Sequence, residues 1–424
     1  MFAMIRRIAV SPLAVTAALV AAIAGTMFVR QVRLHDGGLA TRTMMPADAT
    51  PAAGTEASIR DGDINFYSRR IAEDSTSATD RLTLAGLLYA RSRSTGSQGD
   101  LAKAETLARQ SATQRENRNS QAYALLASIL MAQHKFASAR EMANHAVAID
   151  PDVPAHLALL GEVELELGDY ESAAEHFRSI HVGTQQFTIG ARLARWYELT
   201  GRIDLARQYL TRAIADVSLR DDLPREQVAW FHYRLGELEL RTGRIAAAES
   251  AFTGGLKVHP DDVRILGGLA RAALARGAAD AAIQFGERAT FIQLDPATLG
   301  TVSQAYAMRG NSVQATSYAQ AMSVSALQQP GAIHRAWGQF LLDHGTASDR
   351  RTVLARAAED LRMRKDVYGH DLMAWALFRN GRVDAAQREM QLALAQGTQD
   401  VLLDAHARAI GVTTQLPAHA IAVR

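Results

Sequence analysis

Thirteen histidines are the first candidates for chemistry in this 424-residue chain, because a neutral imidazole is a common metal ligand and titrates near neutral pH. Five of them, His134, His145, His156, His176 and His181, lie close together. They fall at different positions on different helices of the pattern described below, so their ring nitrogens do not converge and no metal is expected. Asp61-Gly62-Asp63-Ile64-Asn65 opens like a calcium loop. Phe66, however, stands where such a loop needs glycine and Ala72 where a bidentate glutamate closes the cage, so helix capping is the preferred account. The doublet Trp196-Tyr197 and Tyr209, at helical spacing, are assigned to the core. No phosphate loop, H-E-x-x-H, G-x-S-x-G or dinucleotide fingerprint occurs. The absence of cysteine removes a thiolate nucleophile, thiolate metal ligands and disulfides. The expectation is a protein without catalytic residues, cofactor or small-molecule substrate.

The elements that would carry any binding residues are helical. Hydrophobic residues make up 48 % of the chain but aromatics only 6 %, so its apolar content is mostly alanine and leucine, which favour helix over strand. The 46 basic and 44 acidic residues are interleaved, unlike the concentrated basic stripe of most nucleic-acid binders; nucleic acid is not expected as a partner. No residue from Ile8 to Val29 is charged, and a helix of that length, about 33 Å, crosses a bilayer core. Arg6, Arg7 and the terminal amine place the N-terminus in the cytoplasm. Ala22-Ile23-Ala24 leaves a cleaved signal peptide as the alternative. The expected organisation is a membrane anchor or signal over residues 1–33, a flexible Gly/Pro/Ala/Thr-rich linker over 34–63, a folded array over 64–410 and an unstructured tail over 411–424. In either case the bulk of the chain lies outside the cytoplasm, on a bacterial-type inner membrane or, after cleavage, free in the periplasm or medium.

Across the array a pattern returns about every 34 residues. A small residue marks a first helix, at Gly86, Ala127, Gly161, Ala194, Gly236, Ala270, Ser303, Gly338 and Ala374. Seven residues later stands a turn position, glycine at 168, 201, 243, 277, 310, 345 and 381, with His134 breaking the series. A second helix then carries small residues such as Ala139, Ala173, Ala206, Ala248 and Ala282. Large apolar residues between these marks, for instance Leu160, Phe177, Leu235 and Phe252, give each helix one stripe that only a neighbouring repeat can bury. Two irregularities interrupt the pattern: an inserted loop, residues 93–98, in the first repeat, and Arg350 in place of alanine in the eighth, which puts that helix's register in doubt.

This recurrence over about residues 82 to 400 is similar to the tetratricopeptide repeat. The resemblance implies an all-α, right-handed solenoid of about nine helix pairs, with a last helix from Asp400 to Ile410 as a cap. It also implies that the first helix of each pair lines a concave groove with the second, fifth and ninth positions of the repeat facing outward. Those positions hold Trp230, Tyr233 and Glu237 in repeat five, Arg264 and Arg271 in repeat six, Arg335 in repeat eight, and Tyr368, Asp371 and Trp375 in repeat nine. Aromatics and arginine dominate interface energetics. The expected function is a scaffold holding a protein or peptide partner, with binding centred on repeats five and six and a ligand segment that offers an apolar side chain and a carboxylate. The alternatives are a non-catalytic accessory subunit of a membrane enzyme or transport complex, and a hydrolase built on the solenoid. The family's chaperone-tail clamp is not implied, because its lysine and asparagine positions are otherwise occupied here.

Overall fold

The computed structural model describes residues 52–180, 187–329 and 331–414, and within them the chain forms twenty helices and no strand. The first is α1 (Ala52–Glu73). Nine antiparallel pairs follow: α2 (Ala78–Thr95) with α3 (Gln98–Gln114), α4 (Ser120–Ala132) with α5 (Phe136–Ile149), α6 (Pro154–Leu167) with α7 (Tyr170–Ser179), and α8 (Phe187–Leu199) with α9 (Ile203–Ser218). Next come α10 (Arg225–Arg241) with α11 (Ile245–Val258), α12 (Val263–Ala275) with α13 (Ala279–Ile292), and α14 (Pro296–Met308) with α15 (Ser312–Leu327). The last are α16 (Arg335–His344) with α17 (Ala347–Met363), α18 (Val367–Arg379) with α19 (Val383–Leu394), and the single helix α20 (Val401–Ile410). The apolar run 8–29 lies outside the described residues; among those described, no helix is long and apolar enough to cross a membrane.

Small residues set how closely each pair packs. A Cβ on Gly161 would stand 2.8 Å from the Phe177 ring, and one on Gly236 would stand 2.3 Å from that of Phe252. Glycine on the first helix therefore makes the space into which the second helix places its aromatic ring. Ala139, Ala173, Ala206, Ala248 and Ala282 are fully buried, as their repeat positions require. The turn also follows the sequence closely. Gly168, Gly201, Gly243, Gly277, Gly310 and Gly381 have positive φ, and His134, which replaces glycine in the series, takes the same left-handed conformation at φ 58°. Gly345 departs, with φ −84°; there α17 starts instead from a reciprocal Thr346–Asp349 capping box, and Ala357 is still buried in register.

Four expectations are corrected. Residues 52–63, read as linker, are helical and belong to α1. Asp61 to Asn65 is neither an ion loop nor a cap, because it lies within that helix, where Asp61 pairs with Arg91 at 3.1 Å. Residues 93–95 complete α2, leaving a turn at Gly96-Ser97 with Ser97 capping α3. In this longer first pair Ala85 is buried and Gly86 faces open space, so the small-residue mark shifts by one.

The superhelix closes on itself. A Cβ on Gly96 would stand 2.9 Å from Gln293 Nε2, one on Gly331 would stand 4.0 Å from His134 Cβ, and one on Gly168 or Gly201 would stand 2.2 Å from the carbonyl oxygen of Lys365 or Gly397. The first four intra-pair turns thus each rest on a connection 196 or 197 residues further on, about six repeats of 34. Hydrogen bonds run along this seam. Lys365 N–H donates to Leu167 O at 3.0 Å, Val367 N–H to the Tyr170 hydroxyl at 2.9 Å, and Gln399 to Gly201 O at 3.1 Å. Thr398 donates to Leu199 O. The carbonyls of Leu167 and Leu199, at the ends of α6 and α8, are among those a helix leaves without an internal partner, and the second superhelical turn supplies donors to them.

A candidate partner-binding channel

First helices stand side by side around the inside of the superhelix, so side chains one repeat apart meet on its inner wall. Acids and bases occupy those places. Arg192 donates to Glu162 at 2.7 Å, Arg234 to Glu198 at 3.1 Å, Arg271 to Glu237 at 2.6 and 3.2 Å, and Arg379 to Asp343 at 3.2 Å. Glu198 and Glu237 are the most enclosed of these acids, each 3 % exposed, and Glu198 is shared by the most arginines. Burial pushes the Glu198 carboxyl pKa up, but Arg195, Arg234 and Arg241 outweigh that and bring it down to about 2.

The nine residues expected in the groove have different fates on this wall. Trp230 is half-buried, edge-on to Phe231, and lines a cavity of about 490 Å³ inside the first superhelical turn. Arg264 lines the same cavity, but its guanidinium already donates to Asp262 at 2.6 Å and lies 3.7 Å from Glu226. Tyr233 packs against Phe252, and burial raises its hydroxyl pKa. Arg335 is engaged by Asp360 at 2.8 Å and by Asp366 at 2.7 Å. Tyr368 reaches the seam: Arg241 and Arg195 lie 4.8 and 5.7 Å from its ring centre, and its hydroxyl donates to Asp400 at 3.3 Å.

Three of the nine do not face outward. Glu237 is buried under Arg271. Asp371 is buried 2.8 Å from Nδ1 of His406, and Trp375, also buried, stacks on that imidazole at 4.3 Å and donates to Asp343 at 2.8 Å. The last helix α20 covers them, a contact that the repeat pattern of a single pair does not contain. Nor are Arg264 and Arg271 free to receive a partner's carboxylate, because each already has one from this chain. Glu237 and Arg271 stand one repeat apart at the ninth position, and this spacing was the available signal that they meet.

Residues that the position rule missed complete the cavity, chiefly Tyr89, Arg93, Met131, Glu162, Arg192 and Glu226. They come from α2, α4, α6, α8 and α10, so with Arg264 on α12 six repeats contribute. The wall is apolar and charge-balanced: Arg192 answers Glu162, and Arg264 answers Asp262. Arg93 and Glu226 stand 4.0 Å apart, beyond hydrogen-bond reach, and Glu226 Oε1 is buried without a hydrogen bond. The histidines lie elsewhere and apart: His145 lies tilted against Tyr123 at 5.2 Å, His156 lies near Asp150 O, and His176 meets Glu164 at 2.8 Å. His181 is outside the described residues. Trp196 is buried and stacked on Phe177, and Tyr197 lies between Trp196 and Tyr209.

Comparison with known proteins agrees with this architecture. Two tetratricopeptide-repeat family models match, over residues 97–163 and 233–297. No curated protein matches the chain. Among solved structures the chain is similar to the human IFIT1 dimer with PPP-AAAA, with 12 % identity and a TM-score of 0.51 over 81 % of this chain and 79 % of that one. A second, the human IFIT1 dimer with m7Gppp-AAAA, gives 12 % identity and a TM-score of 0.52 over 81 % and 78 %. At that identity the likeness concerns the fold alone. YrrB, a TPR protein with an unusual peptide-binding site, matches at 14 % identity and a TM-score of 0.28 over 47 % of this chain and 95 % of that one. Residues 97–163 and 233–297 match tetratricopeptide repeats, and the described residues form an all-helical solenoid, an architecture of protein–protein interaction scaffolds.

Proposed function

We propose that the chain holds a partner protein by a segment inserted into the first superhelical turn, and that it does so without catalysing a reaction. The observation that carries this reading is the cavity of about 490 Å³ lined by Tyr89 and Arg93 of α2 and by Glu226 and Trp230 of α10. An aromatic anchor in a desolvated pocket is where interface energy concentrates. The balanced charge of the wall favours an uncharged segment with an apolar side chain and amide groups over the acidic one read from the sequence. An amide can accept from Arg93 and donate to Glu226, whereas a lone ligand charge meets a like charge nearby. Trp230→Ala is expected to cost about 2 kcal/mol or more in partner affinity, roughly thirtyfold. Arg335→Ala, at an arginine bound by Asp360 and Asp366 away from the cavity, is expected to cost much less affinity than Trp230→Ala. Crosslinked partners recovered equally well by both variants would move the site elsewhere.

We place the work of the scaffold at the outer face of a bacterial-type inner membrane, from the uncharged run Ile8 to Val29 and the arginines that flank it. A fusion after Arg424 to a reporter active only outside the cytoplasm tests this; an inactive reporter with the protein in the soluble fraction defeats it. Stoichiometric recovery with a membrane enzyme or transporter would identify the accessory-subunit alternative. Nucleic acid is not proposed as a partner, since the cations of the inner wall are matched by acids of the chain.

A further inference from the structure

The seam between superhelical turns is not equally tight along its length. Where α6 and α8 meet the second turn, it has five hydrogen bonds to backbone or Tyr170, a 2.6 Å pair of Arg364 with Glu166, and Arg364 at 4.1 Å from the Phe136 ring centre. Arg364 is 12 % exposed, so this rung is shielded from water and salt. At the N-terminal end α1 and α2 meet α10 through weaker contacts. Arg225 N–H donates to Glu56 at 3.1 Å, while their side chains stand 3.8 Å apart with 42 % and 37 % exposure. Arg93, 41 % exposed, is 4.0 Å from Glu226. Both pairs stand beyond hydrogen-bond reach between their side chains and have at least one member open to water, although Glu226 itself is 13 % exposed, and pairs of this geometry contribute little.

This weak rung borders the cavity. Arg93 and Glu226 are at once its two halves and two walls of the space beside Trp230. We propose that the N-terminal helices α1 and α2 are a gate over the cavity: they swing away from α10 and part the Gly96–Gln293 contact while the rest of the seam stays shut, and a partner's uncharged segment enters there. The gate rests on the reading of the cavity as the partner site. Its physical basis is the contrast in the seam, because local opening draws on the least stable contacts of a fold.

The test uses the full chain. It has no cysteine, so paired labels are unique. Spin labels on Thr95→Cys and Phe291→Cys report the gate, and labels on Glu171→Cys and Met363→Cys report the seam near α7 and α17; all four positions are exposed. Acrylamide, a small uncharged amide, serves as the probe for Trp230, whose contribution is isolated by subtracting a Trp230→Phe variant. Trp196, Trp337 and Trp375 are all buried. In the double variant Glu56→Ala and Arg93→Ala the open population should rise about two- to tenfold, the size expected for losing two weak, partly exposed pairs. The gate distance then lengthens, quenching of Trp230 increases and the second distance stays fixed. In the Thr95→Cys, Phe291→Cys variant a short bismaleimide joining the two introduced thiols, in place of the spin labels, should reduce the quenching. The gate is overturned if quenching ignores both the double variant and the crosslink, or if both distances lengthen together, which would be opening of the whole superhelix. These readouts need no partner, so loss of the partner-site reading through Trp230→Ala is a separate outcome.

Discussion

A single side chain on the inner wall decides how charge is arranged there. Glu198 neutralises three guanidiniums in a space nearly closed to water, and removal of one member of a buried ionic cluster leaves the others uncompensated. Glu198→Gln, which keeps the shape, is expected to destabilise the chain by about 3–5 kcal/mol, measured by urea unfolding. His406 offers a readable pH dependence. Burial pushes its pKa down, but Asp371 at 2.8 Å, with Asp343 and Asp400, reverses that and leaves it raised from 6.5. A folded pKa above the unfolded one adds stability that is complete below about pH 6.5 and lost as pH rises through the folded value. The melting temperature of wild type relative to His406→Gln should therefore be highest at about pH 6 and shrink as pH rises above that. A difference that grows with pH would show that the pair stabilises the fold through neutral histidine. The types of these residues were plain in the sequence, but their burial was not. Trp375 and Asp371 were read as outward because the rule for their positions knows nothing of α20, which covers them.

At the scale of the helix pair, glycine has opposite meanings at equivalent marks. In Gly236→Ala the added methyl would lie 2.3 Å from the Phe252 ring. Overpacking of that kind costs about 1–3 kcal/mol, and Phe252→Leu in the same chain should recover part of it. Gly86→Ala meets nothing within 4 Å, so the gain in helix propensity, about 0.5–1 kcal/mol, should appear as added stability. Thermal unfolding of the two single variants tests this, and equal shifts of one sign would mean that the first pair packs like the fifth. Periodicity revealed the pairs, their number and most turns, because each small residue recurs where two helices touch. It misjudged the ends of α1, α2 and α3, where helix-forming residues continue past the repeat frame and a serine cap decides the boundary.

The whole molecule adds a contact that no pair contains. Gly168 and Gly277 occupy the same turn position with φ 83° and 79°, so an alanine at either pays about 1–2 kcal/mol for the left-handed backbone. Only at Gly168 does the new Cβ also press on the second superhelical turn, 2.2 Å from Lys365 O; at Gly277 nothing lies within 4 Å. Small-angle scattering is expected to show a larger radius of gyration for Gly168→Ala and no change for Gly277→Ala. Equal radii would mean that the seam yields without opening.

By itself the sequence determined the helical class, the 34-residue period, the nine pairs and the left-handed turns, since all of these depend on neighbours within about one repeat. Even His134 was legible as an exception in a fixed place, and the chain bends there as glycine would. The tertiary structure alone decided which groove positions stay open on the inner wall and which are covered. Residues about 197 apart meet only when the rise and twist of six successive pairs bring the chain back on itself, and small differences in each pair accumulate over that distance. That return joins Tyr368 to Arg241, encloses Glu198 and sets Arg93 opposite Glu226. A surface that residue types alone present as an open row of arginines and aromatics becomes a lined channel whose cations, Arg93 apart, already have partners.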